Sequence, residues 1–330
     1  GTDRIVGDRM SVNWPGTFVL CEATNDLNSI AATGTGAVTY VDADGINLGF
    51  SGIDFVVAVG DASIAGTSIR VQDDANVAGN LSFISGGTIT QCGTIVAAGL
   101  EVRSPCAVTL NNAANNVGVL AACTGGAFSF TDADALQVGT VGASTGIATS
   151  NDDVTLVTGG DLAFDQRIDL ATCGTCAGGS LFLGVTGSIS QAASGSVQAN
   201  GLEAVATGNV ALQTSAANDV ITLAARSTCG FAAFVDVNDL IVGTVGATSG
   251  VTADSAAGLD IIITGTNVAL QKGLFGSACF SPINLTTRAG GSAIQSSGDG
   301  TDRIVGDRMA VNGPGTFVLC EATNDLNSIA

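Results

Sequence analysis

Residues 1–31, GTDRIVGDRMSVNWPGTFVLCEATNDLNSIA, return as residues 300–330 with two changes, Ser11 to Ala310 and Trp14 to Gly313. The offset is constant at 299 residues, and 29 matches in 31 do not arise by chance. A chain that repeats itself at such range must fold into something that can be extended, each copy meeting the next in the same way. The repeat junction is therefore read at Gly1 to Ala31 and again at Gly300 to Ala330. The first residue is Gly1 rather than Met, and the chain is read as one full period and the opening of the next, cut from a longer tandem array. The competing reading is a subunit whose duplicated ends stack copies head to tail.

A weaker repeat lies inside the period. Asn25-Asp26-Leu27 followed by VDADGINLG at 41–49 reappears as Asn115-Asn116-Val117 with TDADALQVG at 131–139, and as Asn218-Asp219-Val220 with VDVNDLIVG at 235–243. The Asn returns again at Asn324, so the offsets are 90, 103 and 106, which close the 299-residue period. A second landmark keeps step: GTITQ at 87–91, GSISQ at 187–191 and GSAIQ at 291–295. The period thus holds three degenerate modules, about 21–110, 111–213 and 214–319, and residues 1–330 are expected to form one continuous solenoid.

Local pattern fixes the element type. Runs rich in β-branched residues, such as AVTYV at 37–41, IDFVVAV at 53–59 and LDIIIT at 259–264, alternate with one to four Gly, Asn, Asp, Ser or Thr residues. These are strand and turn signals, and no segment carries a capped 3.6-residue period. The chain is read as all-β with short turns and no substantial helix. Sandwich, barrel and solenoid all use such strands. Repetition selects the solenoid, a parallel β-helix, because each coil covers its neighbour's open edge and the stack has no natural end. With coils of roughly 20 residues, a module holds about five coils and the period about fifteen. At ~4.8 Å per coil, one period advances about 70 Å.

Composition narrows the chemistry. With 10 basic and 29 acidic residues the chain carries a formal charge of −19, which repels nucleic acid and anionic membranes. No run of apolar residues is long enough for a membrane helix. The chain has no His and a single Lys, Lys272, leaving few groups for proton transfer. Asp42-Ala43-Asp44-Gly45 resembles the start of a calcium loop but runs straight into a strand, and Asp132/Asp134 and Asp236/Asp239 occupy equivalent places. The reading is a repeated Asp turn, with no metal and no cofactor. Asp73-Asp74 and Asp152-Asp153 are adjacent on strands, where neighbours face opposite sides, so neither pair makes a carboxylate site. No catalytic residue is assigned. Polysaccharide-active β-helical enzymes are the remote alternative, since they build sites on long loops that this chain lacks.

Cysteine is the anomaly. Cys21 and Cys320 are one site seen twice, so a period holds eight, at 21, 92, 106, 123, 173, 176, 229 and 279. An even count points to disulfides in a chain that is exported. Cys106 and Cys123 lie 17 apart, near one coil, and Cys173 and Cys176 form CGTC, which suits a small corner loop. Buried free thiols, redox chemistry and metal ligation are the alternatives left open.

The phrases TDADALQVGTVGASTGI at 131–147 and VDVNDLIVGTVGATSGV at 235–251, each followed by a GSISQ-like landmark, resemble repeats of filamentous-haemagglutinin-like giant bacterial exoproteins. The resemblance covers nearly the whole chain in degenerate form. It implies a right-handed parallel β-helix, secretion to the bacterial cell surface, and roles in filaments, biofilm matrix or adhesion. The expected function is a structural segment of an extracellular fibre, with further copies of itself as partners, stacked head to tail and bundled laterally. The alternative is the shaft of a secreted adhesin.

Overall fold

The computed structural model describes residues 4–170, 178–254, 261–276, 282–296 and 300–330. Among them the chain forms 39 strands and no helix. It divides into two compact units, Gly1–Val157 and Thr158–Ala330. Each unit is a parallel β-solenoid, a β-helix of three-sided coils, as the repetition requires.

In the first unit, one side stacks Phe18–Leu20, Val38–Val41, Ala62–Gly66 and the later halves of Ala75–Ser85, Ile95–Ser104 and Asn116–Thr124, each parallel to the next. A second side stacks Gly45–Leu48, Ser68–Val71, Ile89–Gln91, Val108–Leu110 and Phe128–Asp132. A third stacks Phe55–Val57 on the earlier halves of the long strands. The long strands turn a corner without breaking. Between Ala97 and Gly99 the register slips by one residue, and the slip re-aims the strand.

Alternation along each strand sends every second residue inward, where like stacks on like. Tyr40, Ile64, Phe83, Val102 and Ala122 form one buried ladder, and Ile46, Ile69, Ile89, Val108 and Phe128 another. The second unit does the same with Leu240, Val268 and Ala293, and with Ala232, Ile261, Ile283 and Met309. Burial of each large aliphatic or aromatic side chain contributes roughly 1.5–3 kcal/mol, so the core is distributed along the axis rather than concentrated.

Coil length departs from the uniform 20 expected. It is 20 residues from Ile69 to Ile89 and from Val108 to Phe128, but 28 from Leu240 to Val268 and 25 from Val268 to Ala293. The strand ladders stay in register across these longer coils. A module is therefore not five coils. From Phe18–Leu20 to its sequence equivalent Val108–Leu110 the chain takes four coil steps and then one further side. In the second unit, Val210–Leu212 to the strand Thr316–Val318, which holds its equivalents Phe317 and Val318, again takes four steps and one side. These two modules each advance four and a third coils and turn to a new side.

Candidate functional site

The two sequence landmarks meet in space. Gln91 donates to Asn115 on the next coil, Gln191 Nε2 donates to Asn218 Oδ1 at 2.7 Å, and Gln295 Nε2 to Asn324 Oδ1 at 2.8 Å. The same Asn Oδ1 accepts the backbone N–H that opens the preceding coil's next strand: Ile95 at 2.8 Å, Val197 at 3.0 Å and Ile304 at 2.8 Å. Asn25 does this for Ile5 at 3.0 Å. Its amide then reaches the following coil, Asn25 Nδ2 to the Val41 carbonyl at 3.2 Å, Asn115 Nδ2 to Thr131 at 3.0 Å and Asn218 Nδ2 to Val235 at 3.0 Å. One buried side chain thus ties three coils at a corner where the strand ladder is interrupted. Buried Asn persists there because each polar atom has a partner.

The repeated Asp completes the corner. Asp42 accepts Leu27 N–H at 3.0 Å, Asp132 accepts Val117 at 2.9 Å and Asp236 accepts Val220 at 2.9 Å. Each also caps its own turn, taking the N–H two residues on from Asp44, Asp134 and Asn238. The Asp turn read from the sequence is present: its first carboxylate, Asp42, Asp132 or Asp236, is buried, while Asp44, Asp134 and Asp239 are exposed. Burial pushes the Asp236 carboxyl up to about 7, with its amide donors and Arg288 pulling the other way, and it pushes Asp132 upward too. Tyr40 donates its hydroxyl to Asp42, and burial, with that carboxylate beside it, raises the phenol. Among the described residues no three His, Cys, Asp or Glu side chains gather as a metal site.

Acidic residues elsewhere have the same task. Asp61 accepts Asn80 N–H at 2.7 Å, Asp74 accepts Thr94 at 2.7 Å and Asp161 accepts Ser188 at 2.7 Å, each one coil away. Neighbouring Asp73 turns to Gly52 on another coil, so Asp73 and Asp74 do not converge.

A feature that sequence reasoning missed is the hairpin inside TVGAST and TVGATS. Thr140–Val141 pairs antiparallel with Ser144–Thr145, and Thr244–Val245 with Thr248–Ser249. Each hairpin folds back over an earlier coil. Buried Glu101 accepts Ala143 N–H at 3.0 Å and the Ser144 and Ser82 hydroxyls at 2.9 and 2.8 Å, while Glu203 accepts Ala247 N–H at 3.0 Å. Val141 lies over Gly99 and Val245 over Gly201, where a Cβ would stand 3.1 and 3.0 Å from the Val methyls. The first module keeps the device with other chemistry: Arg9 donates to Ser51 Oγ at 3.0 Å and lies over the Phe50 ring. The signal was legible as Gly-x-Glu or Gly-x-Arg at residues 99–101, 201–203 and 7–9.

Cys106 and Cys123, expected as disulfide candidates, are both free in this structure. Cys123 stands level with Arg103 on the preceding coil, because the coil there is 20 residues long and a spacing of 17 falls three short. Cys173 and Cys176 lie outside the described residues. Cys21, Cys92, Cys229 and Cys320 are free and exposed, and Cys92 Sγ accepts from Arg70 at 3.0 Å.

At the junction, Gly1 lies outside the described residues, Ala31 is buried and Ala330 is exposed. Gly300 turns with φ of 77°. The two copies pair alike: Val6 with Asp26, Arg9 with Ser29 and Met10 with Ile30 correspond to Val305 with Asp325, Arg308 with Ser328 and Met309 with Ile329.

These features define a class, a modular three-sided β-solenoid whose polar residues serve the joints between coils. No family model, no curated protein and no solved structure matches the chain. No helix among the described residues is long and apolar enough to cross a membrane.

Proposed function

We propose that this chain is a structural segment of a long extracellular fibre, of the bacterial surface or matrix kind, built from tandem 299-residue periods. The observation that carries this reading is the junction: the coil at 304–329 reproduces the register of the coil at 6–30. With the same advance in the middle module a period makes thirteen coils, and the chain returns to the side it left. The likeness of the TVGAST-containing phrases to filamentous-haemagglutinin-like exoproteins supports the secreted, surface-borne setting. No catalytic role belongs to this reading, since the buried carboxylates described above are spent on backbone amides and hydroxyls. Its mechanism is mechanical, with load carried by coil-to-coil hydrogen bonds, aliphatic ladders and corner side chains.

The mass of the native chain, fully denatured and reduced, tests it. A mass many times 32.3 kDa is expected for a covalent array. A mass near that of one period instead makes the fibre a polymer of subunits joined at the duplicated segment. A native material that is neither long-chained nor fibrous overturns the reading.

A further inference from the structure

The coils at 5–30 and 304–329 are one sequence met twice, and they differ in what lies above them. Above the first copy stands the chain's own next coil: Phe18 pairs with Val38, Leu20 with Tyr40, Ser29 with Asn47 and Ile30 with Leu48. Asn25 Nδ2 reaches the Val41 carbonyl at 3.2 Å, and Asp42 accepts the Leu27 N–H at 3.0 Å. Among the described residues no further coil covers the second copy. Ile30 is fully buried, whereas its counterpart Ile329 is 63% exposed. Leu319, Leu326 and Ile329 line a cavity of about 260 Å³ on that open face.

We propose that this end face docks the coil at 38–57 of a second copy of the chain, which releases its own residues 1–31 to bind there. This rests on the fibre reading and deepens it by naming the joint. The first copy shows what covers the face: with 29 of 31 residues the same, Asn324, Leu326 and Ile329 offer what Asn25, Leu27 and Ile30 offer. Charge is already accommodated, since Asp325 would meet Asp44 as Asp26 does within the chain. A coil is unstable alone and is held by its neighbours. Residues 5–30 order a whole coil for one neighbour. In the exchanged joint the coil at 304–329 serves both copies, so the coil-to-coil contacts are kept in number while the released residues regain their chain entropy. The two substitutions set which copy yields. A Cβ at Gly313 would stand 2.3 Å from the Thr287 carbonyl oxygen, at φ of 132°, so residues 1–31 with their Trp14 do not fit over the coil at 282–295. Ser11 and Trp14 are both exposed, so Ala310 and Gly313 take their places beneath 38–57 without loss. Such a head-to-tail joint leaves each new copy with the same open face, and it propagates.

The test holds the 330-residue chain just below its melting temperature over a range of concentrations. Sedimentation velocity reads size, and hydrogen exchange read by mass locates the joint. Peptides across 6–14 and 305–313 are told apart by Ser11 against Ala310 and Trp14 against Gly313. Multimers are expected, in which the amides of Val6–Val12 exchange at least about tenfold faster than in the single chain and those of Ile304–Asn312 more slowly. Ile329→Asp, at a position exposed in the single chain, is expected to weaken association by about 100-fold, because residue 329 takes the buried place of Ile30. Val157→Asp, at a position 40% exposed on the shaft, is expected to leave association unchanged, circular dichroism confirming equal strand content. A chain that stays single at every concentration overturns the proposal, as does an Ile329→Asp chain that associates like the original. Multimers in which Val6–Val12 keeps its protection show copies stacking without exchange and overturn it too. The fibre reading stands or falls on the native mass, so each of these failures is distinct from its own.

Discussion

At the scale of single residues, the two differences between the repeated segments are informative. Trp14 is 62% exposed, whereas Gly313 adopts φ of 132° with a Cβ position only 2.3 Å from the Thr287 carbonyl oxygen. A side chain at 313 meets both a backbone clash and a strained dihedral. Gly313→Trp is expected to cost about 2–4 kcal/mol and Trp14→Gly less than about 0.5, read from urea denaturation of the two variants. Asp236 makes a second prediction. Its folded pKa near 7 stands above its unfolded value, so its stabilising contribution is complete below about pH 4 and is lost as the pH rises through 7. Asp219 raises that pKa further, and Arg288 opposes it. Relative to Asp236→Asn, the native chain is expected to gain on the order of 2 kcal/mol between pH 8 and pH 5. Parallel thermal melts across that range check it, and identical slopes for the two chains refute it. The Asp turns were visible in the sequence as a repeated motif. The burial of their first Asp was not, because it depends on which coil lies above.

Among elements, the folded-back hairpins decide how tightly coils are held. Glu101 is the acceptor for one N–H and two hydroxyls from two other coils. Glu101→Ala leaves these donors without it, and a loss of about 1–3 kcal/mol is expected. Hydrogen exchange at residues 140–145 should quicken at least tenfold, about 1.4 kcal/mol, while the amides of Val154–Thr158 keep their protection. Equal acceleration in both segments shows instead that the stack opens as one unit. Strand identity was legible from alternation alone, as in Val154–Thr158, where buried and outward residues take turns. The hairpins escaped because a two-residue strand carries no period, and its anchor lies 42 residues upstream of Ala143.

For the whole molecule, the corrected coil count changes the expected fibre. Thirteen coils at ~4.8 Å advance about 62 Å per period, less than the 70 Å that uniform 20-residue coils give. Fibre diffraction of native material should show the ~4.8 Å spacing along the axis with a long repeat near 62 Å. A strand spacing across the axis refutes the solenoid array. The rotation of each module by one side also explains why the modules have drifted apart. Equivalent residues face different surroundings, as Asn47 and Ile241 do, while the Asn, Gln and Asp of the coil joints recur.

Repetition, strand alternation and turn chemistry were sufficient to determine a parallel β-solenoid from the amino-acid sequence, because these rules act within a strand or between neighbouring coils. The recurring Asn, Gln and Asp were found there too, as landmarks without a task. Only the tertiary structure decided that Gln91 and Asn115 meet, that Cys106 and Cys123 do not, and that Ile294 faces outward beside Ala269. Each of those depends on the length of the intervening coil, and the residues that lengthen a coil between its ladder strands leave no periodic trace. A shift of three residues moves a side chain past its partner, and a shift of one turns it to the other face.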